Sequence, residues 1–280
     1  MKPTTQSIES RLLLATWFLA GGLAAGPAIA TDNEPEPLAD NSFLIEEAYN
    51  QEVGVIQHIG LFSRDLSGDG WALSLTDEWP FRSQRHQISV GLQVQGASDD
   101  GSGGSEFGDT LVNYRYQVPI ANPRLAFSPR VSAILPTGDE RRGAGLGALG
   151  LQVNLPFSAE LHPRWMAHTN LGATRVDGAG DGSSVEFDLQ TVNAGQSLIF
   201  LATPRFNPML EAVWTRERQT FRGGSLTTEE GFVALGVRWG YDFASGLQIV
   251  PGVAYARGFD DADGEEQWLL YLSFEHPFGR

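Results

Sequence analysis

From Val53 onward the chain repeats one unit, a stretch of about ten residues alternating apolar and polar, followed by a turn. Between Gln87 and Gln95, for example, Ile88, Val90, Leu92 and Val94 alternate with Gln87, Ser89, Gly91, Gln93 and Gln95. A period of two with unlike faces is a strand with a different solvent on each side. The pattern recurs at Val112–Val118, Leu149–Leu155, Val233–Tyr241 and Trp268–Phe274. It predicts about twelve strands, roughly 53–63, 71–80, 86–97, 107–118, 124–135, 145–157, 164–175, 185–200, 207–220, 231–242, 247–258 and 267–277. Two of these are ambiguous. Either Gln57 or His58 can face outward in the first, and a slip of phase near Thr191–Asn193 suggests a bulge in the eighth.

The connections alternate in kind. One set is Gly-rich and acidic: 65–70, 99–104, 138–143, 177–182, 222–225 and 260–266. The other is short and often holds Pro: 82–85, 121–123, 160–163, 203–205 and 244–246. Strict alternation puts the two sets at opposite rims of an up-and-down barrel, as long external loops and short periplasmic turns do in an outer membrane. A secreted sandwich or lipocalin-like barrel would instead turn its apolar face inward and show Lys, Glu and Thr outside. Here the polar face is mostly Gly, Gln, Asn and Ser, suited to a watery lumen, and the apolar face is Leu, Val, Ile and aromatic. Trp71, Trp79, Trp165, Trp239, Tyr241 and Trp268 fall towards strand ends, as interfacial girdles require, whereas Trp214 falls mid-strand. The expected fold is all-β, an antiparallel up-and-down transmembrane β-barrel of about 12 strands.

The start of the chain is an address. Lys2 and Arg11 precede an uncharged run from Leu12 to Ala30 that ends Ala28-Ile29-Ala30. That order is a secretory signal peptide cleaved near Ala30. The domain expectation is residues 1–30 as signal peptide, 31–52 as a periplasmic N-terminal segment and 53–280 as the barrel, with both barrel ends periplasmic. Residues 31–39 are acidic and contain Pro, a composition expected to be disordered. Residues 41–52 either form a short amphipathic helix plugging the periplasmic mouth or simply lead into the first strand.

Composition excludes several functions. With no Cys there is no disulfide framework, thiol catalysis or Cys-ligated zinc. A net charge of −15 argues against a nucleic-acid partner. No enzyme, cofactor or metal is expected. His168-Thr169-Asn170 is the nearest approach to a barrel lipase site but lacks a His-x-Ser-Asn-Gly pattern. Asp65–Gly70 imitates the start of a calcium loop, yet Thr76 stands where the bidentate Glu belongs, so a hairpin loop is the better account.

Charges on the polar face are expected to line the lumen: Glu78, Arg115, Arg130, Glu211, Arg238 and Glu275. On the lipid face an Arg near midplane would cost about 2–4 kcal/mol. They either set solute preference or form an ion-pair network that rigidifies the barrel. An acidic outer mouth, with the arginines paired, favours weak preference for cations or neutral solutes.

Residues 40–59, Asp40-Asn41-Ser42-Phe43-Leu44-Ile45-Glu46-Glu47-Ala48-Tyr49 and onward, resemble the N-terminal block of the outer-membrane barrel family named after the meta-pathway of phenol degradation. Ser128-Pro129-Arg130 with Leu135-Pro136-Thr137-Gly138-Asp139 is similar to its central block, as is Asn193-Ala194-Gly195-Gln196-Ser197. The end, Trp268 to Phe278, resembles the C-terminal targeting strand of bacterial outer-membrane barrels, extended by Gly279 and Arg280. The resemblance implies a barrel in the bacterial outer membrane with a transport role, and fixes no substrate. The expected partners are outer-membrane lipid and lipopolysaccharide, a small-molecule solute and the barrel-assembly machinery. A channel passing small molecules competes with a closed structural or adhesive barrel; a barrel lipase is the least favoured reading.

Overall fold

The computed structural model describes residues 42–96, 104–180, 182 and 185–278. The expected signal peptide and the acidic stretch 31–39 lie outside the described residues.

The strands are β1 (Val55–Asp65), β2 (Trp71–Phe81), β3 (Ser83–Gly96), β4 (Ser105–Phe107), β5 (Thr110–Tyr116), β6 (Leu125–Phe127), β7 (Arg130–Leu135) and β8 (Gly150–Asn154). They continue with β9 (Phe157–His162), β10 (Trp165–Gly180), β11 (Glu186–Phe200), β12 (Phe206–Phe221), β13 (Gly224–Trp239), β14 (Tyr241–Asp242), β15 (Gln248–Asp260) and β16 (Glu266–Pro277). All pairings are antiparallel, and β1 pairs both β2 and β16, which closes the sheet on itself. Four pairs of segments are single staves with a break: β4 with β5, β6 with β7, β8 with β9 and β13 with β14. The result is a closed barrel of twelve staves.

Two of the breaks fall at Pro129 and Pro156, which have no N–H for the ladder. The sheet bridges them: Tyr116 N–H donates to Pro129 O at 3.1 Å and Ser128 N–H to Pro156 O at 3.1 Å.

Several boundaries differ from the sequence expectation. The sixth stave begins at Gly150 rather than near 145, because residues 145–149 belong to the loop from Pro136 to Leu149 that folds over the outer end of the lumen. It then runs past Pro156 to His162 and shortens the expected 160–163 turn. No bulge interrupts β11, which keeps continuous register with β12 from Phe187 to Ile199. The irregularity lies in β10, between Val176 and Ala179. The 222–225 loop is a two-residue turn, since Phe221 pairs Gly224 directly.

The faces sort by solvent. On β12 the outward residues Phe206, Leu210 and Ala212 are followed by Trp214 and then by Arg216 and Arg218. Trp214 therefore marks an interface, because β12 continues past the membrane, where Arg216 pairs with Glu229 at 3.3 Å. From Phe206 to Trp214 the apolar band is about 20 Å tall along a tilted strand. Trp71 stacked on Phe62 and Trp268 against Tyr255 mark the same rim; Trp165 against Phe200 marks the other. These aromatics bound an apolar outer band, so the barrel spans a membrane.

The inner face is not uniformly polar as the alternation suggests. From β3 to β10 it carries Gln87, Ser89, Asn113, Ser132, Gln152 and Asn170, all buried. Along β12 to β16 and β1 it also carries a large apolar patch, with Val213, Phe232, Val250, Leu269, Tyr271 and Ile59 forming one cluster around Phe43 and Ile45.

Candidate functional site

Residues 42–52 are neither a helix nor a lead-in strand. They run extended through the lumen, and of Ser42 to Gln51 only Leu44 and Tyr49 are more than marginally accessible. An extended chain without a neighbouring strand has unpaired amides, and burying them unpaired is costly. The barrel wall supplies side-chain acceptors instead. Glu211 accepts the amides of Phe43 (3.1 Å) and Leu44 (2.9 Å), and Asn170 Oδ1 accepts that of Glu46 (2.9 Å). Ser158 Oγ accepts Ala48 N–H at 2.8 Å, while Gln117 and Gln87 accept Asn50 and Gln51 at 3.0 and 2.7 Å. Carbonyls are met as well: Asn170 Nδ2 donates to Glu46 O at 2.6 Å and Ser128 Oγ to Ala48 O at 2.7 Å. The amide and hydroxyl residues of the inner face act as a surrogate strand for the segment.

Charge is matched at Glu46. Arg130 Nε lies 3.1 Å from its carboxylate and Arg115 Nη1 3.4 Å away, and Asn154 Nδ2 also donates to it. Arg115 and Arg130 sit directly opposite each other across β5 and β7, a pairing of like charges that is unfavourable unless something anionic lies between them. Arg115 also donates to Asn50 Oδ1 (2.8 Å), to Glu47 O (3.2 Å) and to Tyr49 O, and reaches Glu78 at 4.0 Å. Arg130 donates further to Asn113 Oδ1 at 2.9 Å and Gln152 Oε1 at 3.1 Å. Burial, reinforced by Glu47 and Glu160, pushes the Tyr49 phenol up, so it stays neutral.

The apolar side of the segment fits the apolar wall. Phe43 meets Tyr271 edge-on at 6.1 Å between ring centres. Its ring lies over Gly236 and Gly252, where any Cβ would come within 2.5 and 3.0 Å of it. Ile45 fills the space that a side chain at Gly195 would take, with its Cδ1 only 2.3 Å from where that Cβ would be.

All six charged residues expected on the inner face project inward. Arg115, Arg130 and Glu78 are brought together around Glu46, and Glu211 holds the start of the segment. Arg238, 2% exposed, sits opposite Asn207, two residue pairs along the β12–β13 ladder from Met209. Glu275 lies opposite Gln57 and Gln248 near the periplasmic rim. Sequence reasoning missed Glu46 itself, because residues 42–52 have no periodicity from which to assign a face. His168 Nδ1 contacts Ser158 Oγ at 2.7 Å and its Nε2 lies 3.9 Å from Glu47. This Ser, His and acid are wholly buried, and the Ser hydroxyl already accepts the Ala48 amide, so the trio holds the segment.

A second closure covers the outer end. Asp109 accepts the amides of Gly138 and Leu146, each at 2.9 Å, and so draws the loop across the wall. Leu146 and Ala148 pack on Leu111, Ile134, Val176, Phe187 and Leu189. Asp65, read as part of a hairpin loop rather than a calcium loop, accepts the Ser67 amide at 2.8 Å as a turn residue. Of the acidic outer-mouth residues, Asp99, Asp100 and Asp181 lie outside the described residues.

Residues 39–274 match the family model described as "Putative MetA-pathway of phenol degradation". The chain belongs to that family. The three sequence blocks that carry the resemblance meet in this lumen: Glu46 and Ala48 from the first, Ser128 and Arg130 from the second, Ser197, bonded to Ser42 at 2.7 Å, from the third. No curated protein matches the sequence. Among solved structures, the chain is similar to the COG4313 outer membrane channel from Pseudomonas putida F1, at 13% identity and a TM-score of 0.65, covering 83% of this chain and 98% of that one. It is also similar to the NanC porin, at 8% identity and a TM-score of 0.52, covering 78% and 98%. Family and fold agree on a barrel of the bacterial outer membrane.

Proposed function

We propose that the protein is an outer-membrane channel whose lumen is closed at rest by its own residues 42–51, and that it passes small amphipathic anions. The observation that carries this reading is the mode of closure. Glu46 offers one carboxylate to Arg115 and Arg130 while Phe43 and Ile45 lie against the apolar wall of β12 to β16. A solute with an apolar body and an acidic group presents the same two features, so it competes with the segment for the same surface. Non-covalent side-chain contacts, rather than a continuous strand ladder, make displacement feasible. Glu78, Arg115, Arg130, Glu211, Arg238 and Glu275 are then lumen-lining residues in function. Transport rather than catalysis is the role, with residues 1–30 removed on export. Lipopolysaccharide and the barrel-assembly machinery are its partners in the membrane.

The competing reading is a closed structural barrel, favoured by the two closures together. Planar-bilayer recording separates them. The mature chain is expected to conduct rarely, and a chain lacking residues 42–51 to conduct steadily and to swell liposomes. No conductance and no swelling from either form would overturn the channel.

A further inference from the structure

The outer wall carries a polar cluster that the lumen does not use. In β1, Gln57 faces inward and His58 outward, resolving an ambiguity of the alternation. His58 sits beside Asp77 of β2, with Nδ1 2.6 Å from Oδ1, and its Nε2 is 3.3 Å from Nε2 of His276 on β16. The two rings stack 5.4 Å apart, and His276 Nδ1 lies 3.1 Å from Pro277 O. Asp77 is one outward position from Trp79, on its membrane side, so the cluster lies at headgroup depth in the periplasmic leaflet. Ionisable side chains on a lipid-facing wall are expensive and mark sites.

Hydrogen-bond chemistry defines what the cluster offers. The Asp77 carboxylate only accepts, and the two imidazole rings beside it can donate. From the cluster an apolar groove of about 470 Å³ runs towards the outer leaflet, lined by Gly60, Phe62, Leu73, Leu75, Leu270 and Leu272. The groove passes over Gly60, which leaves a notch in the wall.

We propose that this groove binds one zwitterionic phospholipid of the periplasmic leaflet, of the phosphatidylethanolamine type. An acyl chain lies over Gly60, the phosphate meets the His58–His276 pair, and the ammonium meets Asp77. The accepting phosphate and the donating ammonium of such a headgroup complement the imidazole donors and the carboxylate acceptor of the cluster. An anionic headgroup without an amine leaves Asp77 unmatched and facing a phosphate. Lipopolysaccharide belongs to the opposite leaflet from the polar end of the groove. The site is independent of channel activity.

Native mass spectrometry of the full mature protein, exchanged from detergent into mixed phosphatidylethanolamine and phosphatidylglycerol, tests it. One retained phosphatidylethanolamine is expected, preferred about tenfold over phosphatidylglycerol, in line with one charge-assisted hydrogen bond. A Cβ at Gly60 meets only Leu272 O and Leu75 Cδ2, both at 3.7 Å, so Gly60→Phe can be accommodated at the backbone and projects its ring into the notch. It should abolish retention, and the near-isosteric Asp77→Asn should abolish the preference between lipids. Leu235→Phe, on the outward face of β13, should change neither. Equal retention of both lipids by the native chain, retention unaltered by Gly60→Phe, preference unaltered by Asp77→Asn, or a dimer in place of the lipid adduct would overturn the proposal.

Discussion

Glu46 is the residue on which the closed state turns. Its carboxylate is the counter-ion set between Arg115 and Arg130, which face each other across two staves. Removing one partner of a buried ion pair costs about 3–5 kcal/mol, because the remaining charge stays desolvated. Glu46→Gln keeps the shape and the possibility of hydrogen bonds but leaves two guanidiniums without that neutralising carboxylate. The docked segment is expected to lose roughly 3 kcal/mol, a shift of about a hundredfold towards the undocked state. Single-channel recordings should then show frequent openings, while heat-modifiable gel mobility stays native because the barrel ladder is untouched. An open probability equal to that of the native chain would mean that Glu46 does not hold the segment. The inward phase of Arg115 and Arg130 was legible from alternation alone. Their partner was not, because Glu46 lies in a stretch without period, and nothing local distinguishes its carboxylate from that of Glu47 or Glu52.

At the scale of elements, the twelve staves follow from the period of two and the turn chemistry between them. What alternation cannot reveal is how an inner face is filled. Gly, Gln, Asn and Ser look alike whether they line water or bind a chain, and the distinction depends on an element far away in sequence. Gly195 shows this: within β11 it reads as a weak strand residue, but its missing side chain is the space occupied by Ile45. The apparent phase slip near Thr191–Asn193 has a similar origin, since polar residues face inward there in unbroken register. Gly195→Val should therefore press on the segment and leave the strand pairing intact. Ile45 Cδ1 can yield by rotation for a single methyl, so Gly195→Ala is expected to act weakly and Gly195→Val strongly. Limited proteolysis of the reconstituted barrel measures this as faster cleavage after Tyr49 in the order native, Ala, Val. Equal cleavage rates across the three would show that packing at Gly195 contributes nothing to docking.

For the whole molecule, closure and charge preference are the same problem. The wall carries Arg115, Arg130 and Arg238 against Glu78, Glu211 and Glu275, while the segment brings Glu46 and Glu47 into the lumen. Docking thus adds two formal negative charges to the lumen, and undocking removes them and leaves two arginines concentrated at one level. The acidic outer mouth, with Asp260, Asp261, Asp263, Glu265 and Glu266, pulls the other way. Salt decides between them, because the mouth is open to solvent and its field decays over about 8 Å at 0.15 M but only 3 Å at 1 M. The arginines lie in a confined lumen, where screening is weaker. Weak cation preference of the resting protein, from its residual conductance, is therefore expected at all salt concentrations. The chain lacking residues 42–51 should be nearly unselective at 0.1 M and anion-preferring at 1 M, which reversal potentials in potassium chloride gradients measure. Arg115→Gln together with Arg130→Gln in that shortened chain should remove the anion preference. Persistent cation preference of the shortened chain at 1 M would mean that the mouth, not the paired arginines, governs passage, and that Glu46 closes the lumen without standing in for a solute.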